Sequence, residues 1–308
     1  MPARCRREGH AIESFDLRLK INFHQLRCFH AVAQHGSFTG AARALFIGQP
    51  NVTTHVKALE QRFGVELFCR RGHNVELSDT GRRLQTITQR IFSLESEAAE
   101  TLGAAGGLLA GRLRVGAIGP ALVTPMVLVF GQRYSEVDLC VSLGNTKDVL
   151  EGLLAFRSDI AVLPRLSEDA RIHVLPYGRT QAVLLVARDH PWARRKSVRI
   201  EELQGQRMVL REIGSATRRV FEDTLEKFGV RIRCVLEIES REAVRESVAA
   251  GMGIGIALEG ETHPDRRLHT LEISDAPMVL ELEVACLAER RASPLIKAFL
   301  DLLREVPA

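Results

Sequence analysis

The sequence predicts an all-α N-terminal segment built as a winged helix-turn-helix, then a long linker helix, then an α/β body of two lobes. Three observations predict it: helical spacing of apolar residues from Phe23 to Phe63, a 3-4 repeat from Leu84 to Ala98, and alternating strand-like and helix-like segments from Leu113 onward. The chain has 308 residues, 45% of them apolar, enough for more than one core. No apolar run approaches the ~20 residues of a membrane-spanning helix. No apolar stretch follows Arg4, Arg6 and Arg7, so residues 1–20 read as a loose basic arm of a cytoplasmic protein rather than a secretory leader.

Leu26, Phe29 and Ala33, then Ala41, Ala42 and Leu45, then Val52, Val56, Leu59 and Phe63 mark three short helices. Ser37 is a natural N-cap for the second, and Pro50 is permitted in the first turn of the third. Val65–Phe68 and Val75–Leu77 read as two strands around the basic tip Arg70-Arg71-Gly72-His73-Asn74, a wing that closes a unit over 21–80. After a cap at Ser78-Asp79, the linker helix spans 81–105. Its Leu84, Ile87, Ile91, Leu94 and Ala98 form a seam suited to self-pairing as a dimer. The opposite face, with Arg83, Arg90, Glu97 and Glu100, reads as polar and solvated, and docking of the seam on its own domain is the alternative. A glycine-rich hinge follows at 106–111.

Beyond it, 113–118, 137–143, 160–163, 183–187, 233–238 and 254–258 read as strands, and 121–133, 146–155, 215–228, 240–250 and 293–304 as helices. Such alternation implies mainly parallel sheets with ligands at the carboxyl ends of strands. The body, 112–308, divides into one lobe of 112–184 with 287–308 and another of 185–286.

Charge separates the two parts. Residues 1–92 carry 14 Lys and Arg against 7 Asp and Glu, while the remainder is slightly acidic. A basic head on an acidic body points to a polyanion partner for the head. With its apolar residues inward, the third helix presents Pro50, Thr53, Thr54 and Lys57, with Gln49 and Asn51 near its start. Gln and Asn suit base edges, Thr offers a hydroxyl or a methyl, and Lys neutralises phosphate. An ordinary solvated helix face is the alternative. The six cysteines form no CxxC pair and read as reduced, mostly core thiols. No metalloprotease, P-loop or nucleophile-elbow motif occurs, no cofactor is implied, and an enzyme is not expected.

The residues Ser37-Phe38-Thr39-Gly40-Ala41-Ala42-Arg43-Ala44-Leu45, Gln49-Pro50-Asn51-Val52-Thr53, Leu59-Glu60, Phe63-Gly64-Val65, Leu67-Phe68 and Leu77-Ser78-Asp79-Thr80-Gly81 resemble the signature of LysR-type transcriptional regulators. The resemblance implies double-stranded DNA as partner, with Ser37, Thr39, Gln49, Pro50, Asn51, Thr53, Thr54, Lys57, Arg70 and Arg71 at the DNA. It also implies dimers through the linker helix, usually paired into tetramers, contact with RNA polymerase, and an effector domain of two lobes like a periplasmic binding protein. Activation of a neighbouring operon is its usual outcome. Two departures stand out: Gly48 replaces the usual Ser before Gln49-Pro50, and Gly40 lies inside a helix at a cost of up to about 1 kcal/mol.

A small anionic effector suits the ends of strands that open helices. The candidates are Ile118, Gly119, Asn145, Thr146, Arg211, Ser215, Thr217, Arg218, Glu239 and Ser240, although plain helix capping explains any one segment alone. Segments 143–146, 210–219, 237–246 and 251–255 resemble the subgroup associated with 2-aminoethylphosphonate catabolism. That places a phosphonate on helix N-termini and hydroxyls, with Arg218 or Arg211 as its charge partner and Glu239 toward an ammonium. Another small carboxylate or sulfate-like metabolite, or thiol-based redox sensing through Cys140 or Cys234, are the alternatives.

Overall fold

The computed structural model describes residues 20–71, 74–165, 169–259 and 265–305, of which 70, 71, 74 and 305 by backbone alone. The basic arm and the wing-tip residues Gly72 and His73 lie outside the described residues. The chain divides into two compact units at Ile91/Phe92, inside one continuous helix.

The first unit contains α1 (Phe23–His35), α2 (Phe38–Ala44), α3 (Gln49–Phe63), β1 (Phe68–Arg71), β2 (Asn74–Leu77) and the start of α4 (Asp79–Ala105). Asn22 caps α1 by accepting the His24 N–H at 2.8 Å, and Ser37 caps α2 by accepting that of Gly40 at 3.2 Å. Leu26, Phe29, Ala41, Ala42, Val52, Val56 and Leu59 are buried as the spacing predicts, whereas Ala33, Leu45 and Phe63 are half-buried and the neighbouring Val32 is buried in place of Ala33. The first wing strand starts later than expected, because the N–H of Val65 closes α3 onto the Glu60 carbonyl and the Glu60 carboxylate accepts the Leu67 N–H at 2.8 Å. A Cβ on Gly40 would lie 3.1 Å from the His35 Cβ, so close approach of α1 and α2 accounts for this glycine. Gly81 is still more constrained: a Cβ there would lie 2.1 Å from the Leu67 carbonyl oxygen.

The second unit comprises the rest of α4, β3 (Gly111–Ala117), α5 (Pro120–Arg133), β4 (Val137–Leu143), α6 (Thr146–Leu154), β5 (Ile160–Pro164), β6 (Ile172–Ala187), β7 (Ser197–Val198), β8 (Arg207–Arg211), α7 (Ala216–Phe228), β9 (Arg233–Ile238), α8 (Arg241–Ala249), β10 (Gly255–Leu258), β11 (Leu268–Ile273), β12 (Met278–Leu287) and α9 (Pro294–Glu305). The main sheet runs β4-β3-β5-β12-β6-β11-β7 with β10 also on β6, and β8–β9 form a second sheet. Side-chain alternation along β5 sorts Ile160 and Val162 into a core with Phe130 of α5 and Phe299 of α9. It sends Ala161 and Leu163 to the other face with Leu153 of α6 and Phe221 of α7.

The expectation of mainly parallel sheets is corrected. β3–β4, β3–β5 and β8–β9 are parallel, but β12 runs antiparallel to β5 and β6, and β6 antiparallel to β10 and β11. β6 and β12 are continuous across the positions 184/185 and 286/287 at which the sequence reading divides the lobes. A register shift at Leu282/Glu283 sets Gly178 opposite Leu282 and Pro176 opposite Glu283, so the bulge accommodates a proline inside a long strand.

Cys140 and Cys234 are corrected as well. Both are exposed, because β4 and β9 are edge strands, and Cys69 is exposed too, so of the described cysteines only Cys28 and Cys286 are the buried thiols expected of most. Burial pushes the Cys286 thiol up to about 11.

A third correction concerns α4, whose Thr88, Phe92, Ser93 and Glu100 are buried. Glu100 therefore does not face solvent: its carboxylate accepts the Ser293 hydroxyl at 3.0 Å, and Glu97 accepts the Arg290 guanidinium at 3.3 Å. Arg290 also bonds Asp159, which Arg114 grips through its backbone N–H (2.9 Å) and its guanidinium (2.8 and 3.0 Å). The seam residues differ: Leu84 and Ile91 are half-buried, while Ile87, Leu94 and Ala98 are exposed.

Candidate functional site

In the first unit the exposed end of α3 carries the DNA candidates. Gln49, Pro50, Asn51, Thr54 and Lys57 are exposed and Thr53 is half-buried, with Val52, Val56 and Leu59 turned into the core. The Thr53 hydroxyl donates to the Gln49 carbonyl at 3.0 Å. Thr39 donates to the Gln49 side chain at 3.3 Å, so the start of α2 orients the first residue of α3. The hydroxyl of Ser37 is engaged as a cap. Gly48 gives α3 no side-chain cap. The side chains of Arg70 and Arg71 lie outside the described residues, though their backbones pair with Val75 and Asn74.

The second unit holds a cavity of about 990 Å³ at the carboxyl ends of β4, β8 and β9. Of the effector candidates, Asn145, Arg211, Thr217, Glu239 and Ser240 line it. Asn145 caps α6 by accepting the Asp148 N–H at 2.9 Å, and Ser240 caps α8 by accepting that of Ala243 at 3.2 Å, so two helix N-termini are set at the wall. Thr146 opens α6 but does not line the cavity: it is buried behind Asn145 and Lys147, and its hydroxyl has no hydrogen-bond partner among the described residues.

Ile118 belongs to the core instead, and Gly119 is the N-cap of α5 behind the lining residue Pro120. Ser215 caps α7 and, with Arg218, lines a separate cavity of about 160 Å³. Arg218 is held by Glu222 and Glu237, each at 2.7 Å, and by the Arg211 carbonyl at 2.7 Å. Burial alone favours the neutral form of Arg218, but those two carboxylates raise its pKa.

Sequence reasoning missed Lys147, Arg241, Arg245, Asp265 and Arg267 on the wall. Arg241 and Arg245 were legible as an i, i+4 pair at a helix start. Asp265 and Arg267 come from the approach to β11, which only its pairing with β6 brings near.

The wall's charge differs from that of a simple anion site. Asp148, Glu212, Glu237, Glu239, Glu242, Glu246 and Asp265 outnumber Lys147, Arg211, Arg241, Arg245 and Arg267. Arg211 is paired with Glu212 (2.7 and 2.8 Å), and Arg267 with Glu246 (2.6 and 2.8 Å) and Asp265 (2.9 Å). Burial pushes the Glu212 carboxyl up, but hydrogen bonds and charge from Arg211, with a bond from Asn145, hold it below its usual range. The hydrogen bonds of Arg267 hold Asp265 down at about 2. Glu239 and Glu242 line the wall outside these arginine–carboxylate pairs. Among the described residues no cluster of His, Cys, Asp and Glu suits a metal ion, and no helix is long and apolar enough to cross a membrane.

Known proteins place this arrangement. Residues 23–82 match the bacterial regulatory helix-turn-helix protein model of the lysR family, and residues 106–308 match the LysR substrate binding domain. The HTH-type transcriptional activator CmpR of a Synechocystis strain is 29% identical over 91% of this chain and 94% of its own. Full-length OxyR from Pseudomonas aeruginosa has the same fold (TM-score 0.71, 22% identity, covering 92% of this chain and 95% of that one). The regulatory domain of Synechocystis CcmR, solved in complex with 2-PG, aligns with a TM-score of 0.59 at 26% identity over 64% of this chain and all of that one. With both models matched over most of its length, and with a helix-turn-helix polar outward followed by a two-lobed α/β unit, this chain belongs to the LysR family of DNA-binding transcriptional regulators.

Proposed function

We propose that the cavity takes a small zwitterion, with 2-aminoethylphosphonate as the leading candidate, and that its binding alters how paired DNA-reading units hold their operator. The observation that carries this reading is the division of partners on the wall. Arg211 and Arg267 are already bonded to carboxylates, so the anionic group is received by the N-termini of α6 and α8, capped by Asn145 and Ser240 at the wall. Glu239 and Glu242 remain for an ammonium. The 2-PG held by the CcmR domain supports a small ligand in this kind of domain.

On the DNA side, Gln49, Asn51, Thr53 and Thr54 read base edges while Lys57, Arg70 and Arg71 meet phosphates. The exposed seam of Ile87, Leu94 and Ala98, flanked by Leu84 and Ile91, is covered by the α4 of a second copy. The effector acts by binding one arrangement of the assembly better than another.

Isothermal titration of the full chain tests the effector, using 2-aminoethylphosphonate, 2-PG, phosphate, sulfate and acetate. Saturable heat with the aminophosphonate, weakened by Glu239→Gln, is the result this reading requires. Saturable heat with 2-PG alone replaces the zwitterion by a plain anion.

A further inference from the structure

We infer that Phe46 is a DNA-positioning residue whose ring packs on the sugar–phosphate edge of the operator beside the start of α3. This rests on the DNA-reading role of α3. The backbone around Phe46 closes α2 in a glycine-type cap: the Phe46 N–H bonds the Arg43 carbonyl at 3.2 Å and the Ile47 N–H bonds the Ala42 carbonyl at 3.1 Å. Phe46 occupies the left-handed position of that cap, with φ at +54°. Glycine meets this requirement without strain, whereas a side chain with a Cβ pays for it in backbone energy.

Burial does not compensate, since Phe46 is 95% exposed. The cap and the core therefore both leave the choice of a large aromatic unexplained, and a strained residue retained against local preference points to use in a bound state. Its position names the occupant. Phe46 lies two residues before Gly48, the N-cap of α3, and is exposed as Thr39, Gln49, Pro50 and Asn51 on either side of the turn are, with Thr39 and Gln49 hydrogen-bonded to each other. With the start of α3 at base edges, this turn flanks the groove, where deoxyribose rings offer apolar C–H surface and carry no sequence information.

The test uses full-length protein with two probes: a duplex that the wild type enriches from a random library, and a random duplex. Phe46→Gly is expected to melt at or above the wild-type temperature, because it relieves the left-handed strain. It is also expected to bind both duplexes about tenfold more weakly, with an unchanged salt slope since no phosphate contact is lost. Phe46→Leu is expected to recover most of the affinity. Wild-type affinity in Phe46→Gly overturns the inference, as does a loss confined to the selected duplex. So does intact DNA binding with lost activation of transcription, which assigns the ring to a protein partner. A wild type that binds no duplex fails the DNA-reading role itself, an outcome distinct from these.

Discussion

Asp159→Asn removes the negative charge shared by two guanidinium groups. Asp159 and Arg290 have side chains only 4% exposed, and Arg114 reaches the same carboxylate from β3. After the substitution Arg290 loses the charge of Asp159 and is left with Glu97 at 3.3 Å and the nearby Glu100 carboxylate that Ser293 holds. Breaking one partner out of a buried pair costs about 3–5 kcal/mol, because the remaining charge stays desolvated. For a unit of about 200 residues that is a fall in melting temperature of about 6–20 °C. Differential scanning calorimetry of the full chain reads it, following the transition of the second unit. Asp159→Asn with Arg290→Met is expected to be more stable than the single variant, since the stranded cation is gone. A single variant that melts within about 2 °C of wild type would falsify the claim that this carboxylate holds the start of α9 and the end of α4 to β3. The pH dependence has a definite sign. Burial raises the Asp159 carboxyl, but Arg114 and Arg290 outweigh it and hold it below its ordinary 3.8. Its contribution is therefore present above that value and is lost as pH falls through the lower folded value.

Glu100 has the opposite sign. Burial raises its carboxyl above the ordinary 4.5 despite the Ser293 hydroxyl and Arg290, so the folded chain binds the proton more tightly and stability falls as pH rises from about 4.5. Glu100→Gln should flatten this slope and match or exceed wild-type stability at pH 7 in urea titrations, and a clear destabilisation there contradicts the sign. Thr53→Ala should weaken the selected duplex by about 1–3 kcal/mol and leave random DNA nearly unchanged in fluorescence anisotropy; equal loss on both removes base readout from Thr53. Ile91→Asp places a charge in the α4 seam and should dissociate the dimer in sedimentation velocity, whereas a surviving dimer moves the interface elsewhere.

The helical head was legible because its stripes are local. Leu26, Phe29, Val52, Val56 and Leu59 recur at helical spacing and pack as that spacing requires. β4 and β9 were likewise found at their observed bounds. What escaped depended on distant pairing. β12 carries Glu281 and Glu283 at strand positions, which weakens its apolar pattern, and Glu281 is satisfied by Arg165 at 2.8 Å and Arg179 at 3.3 Å from other segments. The first half of β6 contains Pro176 and Gly178, which read as breakers until the bulge opposite them is seen. At the cavity, helix starts such as Asn145 and Ser240 were visible as caps. The pairing of Arg211 with Glu212 and of Arg267 with Glu246 was not, because side-chain direction and a 21-residue separation decide it. The exposure of Cys140 and Cys234 follows from edge position, which strand periodicity does not reveal.

The central claim is that the cavity and the DNA-reading helix are coupled, and it is tested by titrating full-length protein with its selected duplex in the presence and absence of saturating 2-aminoethylphosphonate. The account predicts a change in affinity or bending on the selected duplex. For any affinity change, the effector must bind the DNA-bound protein with an affinity altered by the same factor. Identical affinity and bending with and without an effector that demonstrably occupies the cavity would contradict it.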